Sequence, residues 1–310
     1  MIKNKNILIS GGAGFIGSNL VKRLLVNNTI TVVDNLSSGK IQNLNQFLEN
    51  KHFHFIQHDI REPIESNQNF DYIFNLASPA SPIFYKSMPV DTLLTNAVGT
   101  YNLLNLALKQ NSLYFHASTS EVYGDPLVHP QIESYWGNVN PIGDRACYDE
   151  GKRFAEALIT SFARVNRNLN YRIVRIFNTY GPYMDQGDGR VIPNFINQAL
   201  TGQNITVYGQ GQQTRSFCYV EDTIDGFLAL VKSNLKGPVN IGNPEEFTIL
   251  QLAKLIIKMT KSSSKIIYEN LPENDPKKRK PDITLAKNKL KWNPKIQLEQ
   301  GLKETIKWFK

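Results

Sequence analysis

Residues 9–20 read ISGGAGFIGSNL, and the fold is decided there. Ile7, Leu8 and Ile9 form a short apolar run of the kind a buried strand shows. Beyond the glycines, residues 16–26 place Leu20, Leu24 and Leu25 on one helical stripe. A glycine-rich turn therefore joins a strand to a helix, with Gly11, Gly14 and Gly17 in G-x-x-G-x-x-G spacing. Glycine lets the backbone approach a pyrophosphate, and a helix N-terminus offers free N–H groups to it. Such loops also occur without cofactors, so the turn alone does not decide its use. Asp34 closes a second strand (residues 30–33), 20 residues past Gly14. A carboxylate there can bond the adenosine ribose and repels a 2′-phosphate, so NAD is expected rather than NADP.

Working outward, further strands are expected at residues 52–56, 72–76, 113–117 and 171–176, with helices at 91–110 and 148–165. This alternation predicts an α/β chain, a doubly wound parallel sheet of Rossmann type. After about residue 180 the pattern loosens into Gly/Pro-rich loops and short elements, which suggests a smaller C-terminal lobe built on the sheet. The expected division is 1–180 and 181–310, with some elements of the second part returning to the first.

Composition narrows the class. The chain has 310 residues, 41% hydrophobic and 20% charged, an ordinary globular balance. The net charge of +8 fits an anionic ligand, although nucleic acid is compatible with it too. No apolar run is long enough to span a bilayer, and the opening MIKNKNILIS leads into a strand without a signal peptide. Two cysteines, Cys147 and Cys218, make no disulfide framework, so a reducing cytoplasm is expected. His52, His54 and His58 alternate with Phe53 and Phe55 as on a half-exposed strand, and no metal site is predicted.

RACYDEGKR, residues 145–153, carries Tyr148 and Lys152 four apart, on one face of a helix. A phenol titrates near 10, too high for a base at neutral pH. A neighbouring ammonium and a positive nicotinamide ring both favour the phenolate. The bland alternative is a surface pair, since Y-x-x-x-K is common. Its place after ASTSEVYG (117–124) and after the glycine loop favours a mobile proton.

These stretches, with VVDNLSSGK (32–40), NLASPASP (75–82), YWGNVNPIG (135–143), RIFNTYGP (175–182), VYGQGQQTRSF (207–217) and DPKKRKPDI (275–283), resemble the extended short-chain dehydrogenases/reductases. Within that superfamily they resemble the UDP-glucuronate decarboxylases over nearly the whole chain. The resemblance implies that NAD oxidises C4 of UDP-glucuronate, that the β-keto acid loses CO₂, and that reduction gives UDP-xylose. It implies Tyr148 as base, Lys152 as its tuner, Thr119 and Ser120 at the sugar, and Glu121 at ring and carboxylate. Arg279 would hold the C5 region, and Asn178, Arg190, Tyr208 and Arg215 the UDP end. Around the cofactor it implies Gly11, Gly14, Phe15, Ile16, Asp34, Asn35, Ser37, Gly39, Asp59, Ile60, Leu76, Ser78 and Thr95. It further implies a C-terminal lobe that binds the nucleotide sugar, and a homodimer through the 91–110 and 148–165 helices. No nucleic-acid or membrane partner is expected. The alternatives are a nucleotide-sugar 4-epimerase, a 4,6-dehydratase (expected to carry Asp at Ser120) and a non-catalytic NAD-binding protein.

Overall fold

A computed structural model describes residues 2–270 and 278–310. Its centre is a seven-stranded parallel sheet. Six strands come in succession: β1 Asn6–Ser10, β2 Thr29–Asp34, β3 Phe53–Gln57, β4 Tyr72–Asn75, β5 Leu113–Thr119 and β6 Asn170–Ile176. Four short strands follow (β7 Thr179–Tyr180, β8 Ile205–Tyr208, β9 Thr214–Ser216, β10 Cys218–Tyr219), and β11 Val239–Ile241 supplies the seventh. The spatial order is β11-β6-β5-β4-β1-β2-β3. Ile7, Leu8 and Ile9 are fully buried and every residue of β5 is buried, as both faces of the sheet are covered.

The chain runs outward through β2 and β3, then restarts at β4 on the other side of β1. That reversal opens a crevice at the C-terminal ends of β1 and β4, where ligands of open α/β sheets bind. On one face lie α1 Phe15–Leu24 and α7 Val220–Lys232, with Leu20, Leu24, Ile224 and Phe227 in one apolar cluster. The other face carries α4 Thr100–Gln110 and α5 Ala146–Val165, where Leu103, Leu104 and Ile159 pack on Leu8, Ile73 and Tyr114.

The sequence predicts one helix over 91–110, and the structure shows a continuous helical run over 89–110 with a π-turn within it. Short helices α2 Pro82–Ser87 and α3 Pro89–Leu94 lead into a π-turn at Thr95–Gly99, then α4. The Thr92 carbonyl accepts from the Asn96 side chain and from the Thr95 N–H, so the regular ladder is loosened there. A π-turn of this kind often marks a functional position; here it carries Thr95 to the crevice.

Beyond residue 180 the expected loose pattern resolves into four helices of 10–13 residues: α6 Val191–Leu200, α7, α8 Ile249–Thr260 and α9 Leu298–Phe309. The strands between them are two to four residues long, too short to show a period. Later strands are β12 Glu246–Thr248, β13 Ile266–Glu269 and β14 Lys278–Arg279. The order β12-β9-β14 makes a small sheet in which Arg279 pairs with Arg215. Residues 275–277 of DPKKRKPDI lie outside the described residues. Among the described residues no helix is long and apolar enough to cross a membrane.

Candidate active site

At the crevice the glycine turn makes two close backbone approaches. Gly11 has φ +73°, and a Cβ there would sit 2.7 Å from the Ala77 nitrogen. A Cβ on Gly17 would lie 2.1 Å from the Gly11 carbonyl oxygen, so the helix start is pressed on the turn. Gly14 is the N-cap of α1, with no side-chain cap and no acid in the first turn, so the first N–H groups face outward to an anion. Asp34 is buried, its Oδ2 accepting from Ala13 N and its Oδ1 from Leu36 N, both at 2.9 Å. Burial raises its pKa, and those two N–H bonds oppose the rise. Each oxygen retains acceptor capacity for a ribose hydroxyl.

Eleven of the residues expected around the cofactor line this crevice: Gly11, Gly14, Asp34, Asn35, Ser37, Gly39, Asp59, Ile60, Leu76, Ser78 and Thr95. Phe15 and Ile16 sit on the first turn of α1, outside the lining, and His58, Ala77 and Pro79 join it without having been expected. Asp59 is fixed by Arg61, which bonds it through Nε and Nη2 and holds its carboxyl down at about 2, and Asn35 donates to it at 2.9 Å. Glycine backbone against backbone, an open helix start and a carboxylate at the strand end together fit a dinucleotide with a free ribose diol. Among the described residues no cluster of three or more His, Cys, Asp or Glu could hold a metal.

Tyr148 and Lys152 lie in the first turns of α5, both buried. Lys152 Nζ donates to the Ala117 carbonyl at 2.9 Å and stands 6.0 Å from the centre of the Tyr148 ring. Burial lowers the Lys152 ammonium to about 7, with the Glu156 charge opposing. Burial pushes Tyr148 up to about 12, offset in part by a hydrogen bond to Thr119 and by the charge of Arg190; the lowered phenol expected from the sequence belongs to the site with NAD bound. Tyr85 stacks on Tyr148, rings 5.2 Å apart and 6° from parallel. Its buried hydroxyl has no hydrogen-bond partner.

Thr119 ends β5, and its Oγ1 caps the turn that follows by accepting from Glu121 N at 3.3 Å. Ser120 beside it is buried. The Glu121 carboxylate is held on both oxygens, Oε2 by Arg145 Nη2 and Oε1 by Arg279 Nη1. Arg145 also approaches Asp149, Nε to Oδ2 3.8 Å. Burial lifts the Asp149 carboxyl to about 6 against the charges of Arg145 and Arg279. Arg279 is in turn carried by a strap that Gln131 fixes. Gln131 bonds Lys280 N, Lys280 O and Asp282 N, each at 2.9 Å.

The remaining expected contacts are dispersed. Arg190 caps α6, grips Asp188 (Nη2–Oδ2 2.5 Å) and lies 5.9 Å over the Phe15 ring. That places it toward the glycine turn and Tyr148 rather than with Arg215. Arg215, on β9, donates to the Thr214 carbonyl at 2.9 Å and neighbours Arg279 across the small sheet. Asn178 follows β6 and its carbonyl accepts from Cys218 N, while Tyr208 ends β8 and is exposed. Arg145, Asp149 and Tyr85 are what the sequence reading missed. A cation opening the helix of Tyr148 was the one available signal, since that position favours an acid.

The sequence profile of the NAD dependent epimerase/dehydratase family matches residues 7–242. The chain belongs to that family. UDP-glucuronic acid decarboxylase 3 of Arabidopsis thaliana is 53% identical over 302 residues, covering 96% of this chain and 87% of the plant protein. Two epimerase structures share the fold. UDP-glucose 4-epimerase of Thermotoga maritima with UDP-glucose has a TM-score of 0.89 and 33% identity, covering 98% of both chains. UDP-glucuronic acid 4-epimerase of Bacillus cereus, in complex with UDP-glucuronic acid and NAD, has a TM-score of 0.86 and 27% identity, again covering 98% of both. This epimerase/dehydratase chain is NAD-dependent, and its crevice fits that cofactor.

Proposed function

We propose that the protein converts UDP-glucuronate to UDP-xylose and CO₂, with NAD recycled in the site. The observation that carries the reading is Glu121 held between Arg145 and Arg279 beside Tyr148, a charged sugar end suited to a carboxylate. The similarity to UDP-glucuronic acid decarboxylases over nearly the whole chain supports it. When bound, NAD supplies the oxidation at C4 and the later reduction there. Tyr148 takes the C4 hydroxyl proton, with Thr119 hydrogen-bonded to the phenol. A phenol near 12 needs positive charge to act at neutral pH; Lys152, 6.0 Å from the ring and lowered to about 7, carries it in part of the molecules there, and NAD supplies more when bound. Arg279 faces the sugar carboxylate as a guanidinium already paired with Glu121. It can orient that group without fully neutralising it, which leaves CO₂ free to depart once C4 is a ketone. Ser120 contacts the sugar but lacks the acid a 4,6-dehydratase needs to expel a hydroxyl.

Asn178, Tyr208 and Arg215 serve the UDP end in this reading, the Arg215 fork matching phosphate oxygens; Arg190, expected with them, lies toward the glycine turn and Tyr148 instead. Residues 1–180 mainly hold the cofactor and 181–310 mainly the nucleotide sugar. Incubation with UDP-glucuronate and with UDP-glucose tests the function. CO₂ and UDP-xylose from the first are expected, with substoichiometric NADH. Conversion of UDP-glucose to UDP-galactose, with no CO₂ from UDP-glucuronate, favours the 4-epimerase reading instead.

A homodimer is part of the same proposal. Leu94, Val98 and Tyr101 along the 91–110 segment and Phe154 on α5 are exposed apolar side chains, and Tyr101 meets Phe162 edge-on at 6.2 Å. Two such faces suit burial against a second copy. A monomer by sedimentation at micromolar concentration refutes it. The free, buried Cys147 and Cys218 support a reducing cytoplasm as its location, which cell fractionation checks.

A further inference from the structure

Arg145 ties together three segments of the site. It is the N-cap of α5, where its carbonyl accepts from Tyr148 N and Asp149 N at 3.0 Å each, so it opens the turn that carries the phenol. A cation is disfavoured at a helix N-terminus by the helix dipole. Two acids hold it there: Glu121, bonded through Nη2, and Asp149, whose Oδ2 lies 3.8 Å from Nε. The second oxygen of Glu121 belongs to Arg279, which reaches in from β14, 158 positions along the chain. Glu121 itself follows Thr119 and Ser120 at the end of β5.

One carboxylate with a different guanidinium on each oxygen has its rotation and plane set from two sides. Removal of either partner frees it to turn. Arg279 bonds Oε1 through Nη1 while its Nη2 turns to the Gly124 carbonyl at 3.4 Å, so it leaves Oε2 to Arg145. Arg145 thus gives the carboxylate a fixed reference to the same helical turn as Tyr148. Near this pair Asp149 Oδ1 and the Tyr85 hydroxyl are buried with no hydrogen-bond partner among the described residues.

We propose that Arg145 is a positioning residue of the reaction, holding the Glu121 carboxylate in register with Tyr148 so that it meets the sugar ring in one orientation. This rests on the reading of Glu121 as a sugar-side residue, and does not depend on which sugar is the substrate.

The test is a double-mutant cycle of Arg145→Met and Glu121→Gln, run on whichever of UDP-glucuronate and UDP-glucose the wild type turns over. Misplacing a reacting group by about an ångström costs on the order of 10²-fold. Arg145→Met is therefore expected to lower kcat by about that factor, with KM changed by less than about threefold. The double variant is expected to be no slower than Glu121→Gln alone, because Arg145 acts through that carboxylate. Arg145→Lys, which keeps the charge and loses the planar fork, is expected to recover part of kcat.

Three results overturn the proposal. Losses that multiply in the double variant make the two residues independent. A raised KM with wild-type kcat makes Arg145 a direct substrate contact. A lower melting temperature with wild-type kcat makes the ion pair structural only. If Arg145→Met does not fold, the cycle is run with Arg145→Lys, and multiplying losses overturn the proposal there too. A wild type that turns over UDP-glucose but not UDP-glucuronate defeats the decarboxylase reading and leaves this cycle standing.

Discussion

The two ends of the crevice are built from different materials. At the cofactor end Asp34 reaches Ala13, 21 positions away, and the decisive contacts are between backbone atoms. At the sugar end Glu121 and Arg279 are 158 positions apart, and the decisive contacts are between charges. The first end tolerates little change in shape, because Gly11 has no room for a methyl group. The second tolerates little change in charge, since each arginine there is matched by an acid. Cofactor and sugar recognition should therefore fail independently, and the group shared by both ends should lose the most chemistry while sparing both.

Tyr148 is that shared group, and the largest effect is expected there. Tyr148→Phe keeps the ring that stacks on Tyr85 and should bind NAD and UDP-glucuronate as the wild type does. Its turnover should fall by the ~10²–10⁴-fold typical of losing a general acid–base. Calorimetry beside a CO₂ assay checks both halves, and loss of binding with turnover would mean that the phenol hydroxyl holds ligand.

At the sugar end alone, Arg279→Ala should slow CO₂ release and raise KM for UDP-glucuronate. Loss of Arg279 leaves the Glu121 carboxylate held by Arg145 alone and free to turn. NAD affinity should be untouched. CO₂ released at the wild-type rate would mean that the buried Arg279 only pairs with Glu121 and has no role at C5.

Gly11→Ala breaks the other end. The new Cβ meets backbone at 2.7 Å, and a non-glycine residue at φ +73° adds strain of about 1–2 kcal/mol. NAD affinity should drop roughly tenfold or more, while UDP binding measured separately should hold. Equal losses of both affinities would show the two ends to be one cooperative unit.

The same contrast explains what the sequence disclosed. Strand, glycine turn, helix and acid are contiguous around residues 7–34, so the cofactor end and the parallel sheet could be read directly. Tyr148 and Lys152 were visible because a helix fixes their spacing. Glu121 and Arg279 came only through resemblance, since no local pattern announces that β5 and a late strap will meet. Arg145 stood inside the quoted stretch and was passed over, because its contact with Glu121 exists only after folding. Tyr85 was likewise hidden: an aromatic in a short helix reads as core, and its ring does pack there. The lowered phenol expected at Tyr148 considered charge and left out burial, which raises it before any cofactor charge is added. The helices after residue 180 went unresolved because strands of two to four residues interrupt their period.

Lys152 stands between the two ends, and the smallest expected effect is on stability. Its Nζ donates to the carbonyl of Ala117, two residues before Thr119. Burial lowers the folded ammonium to about 7 from 10.5. Below pH 7 both folded and unfolded chains hold the proton, and the folded state carries the full penalty of a buried ammonium. Between about 7 and 10.5 the unfolded chain keeps a proton that the folded one has released, so stability should rise with pH through that window. Above 10.5 neither state holds it and the slope ends. Lys152→Met removes the titrating group with little change in bulk. The melting temperature of the wild type relative to this variant should therefore climb from pH 7 to pH 10 and be flat from pH 5 to pH 6.5. Each kcal/mol is worth roughly 2–4 °C in chains of 150–250 residues, and somewhat less in this longer one. A difference that stays constant across pH 7–10 would mean that the ammonium is charged throughout the window. Lys152 would then act on Tyr148 as a permanent cation, and the cofactor and sugar ends would share a fixed charge rather than a titrating one.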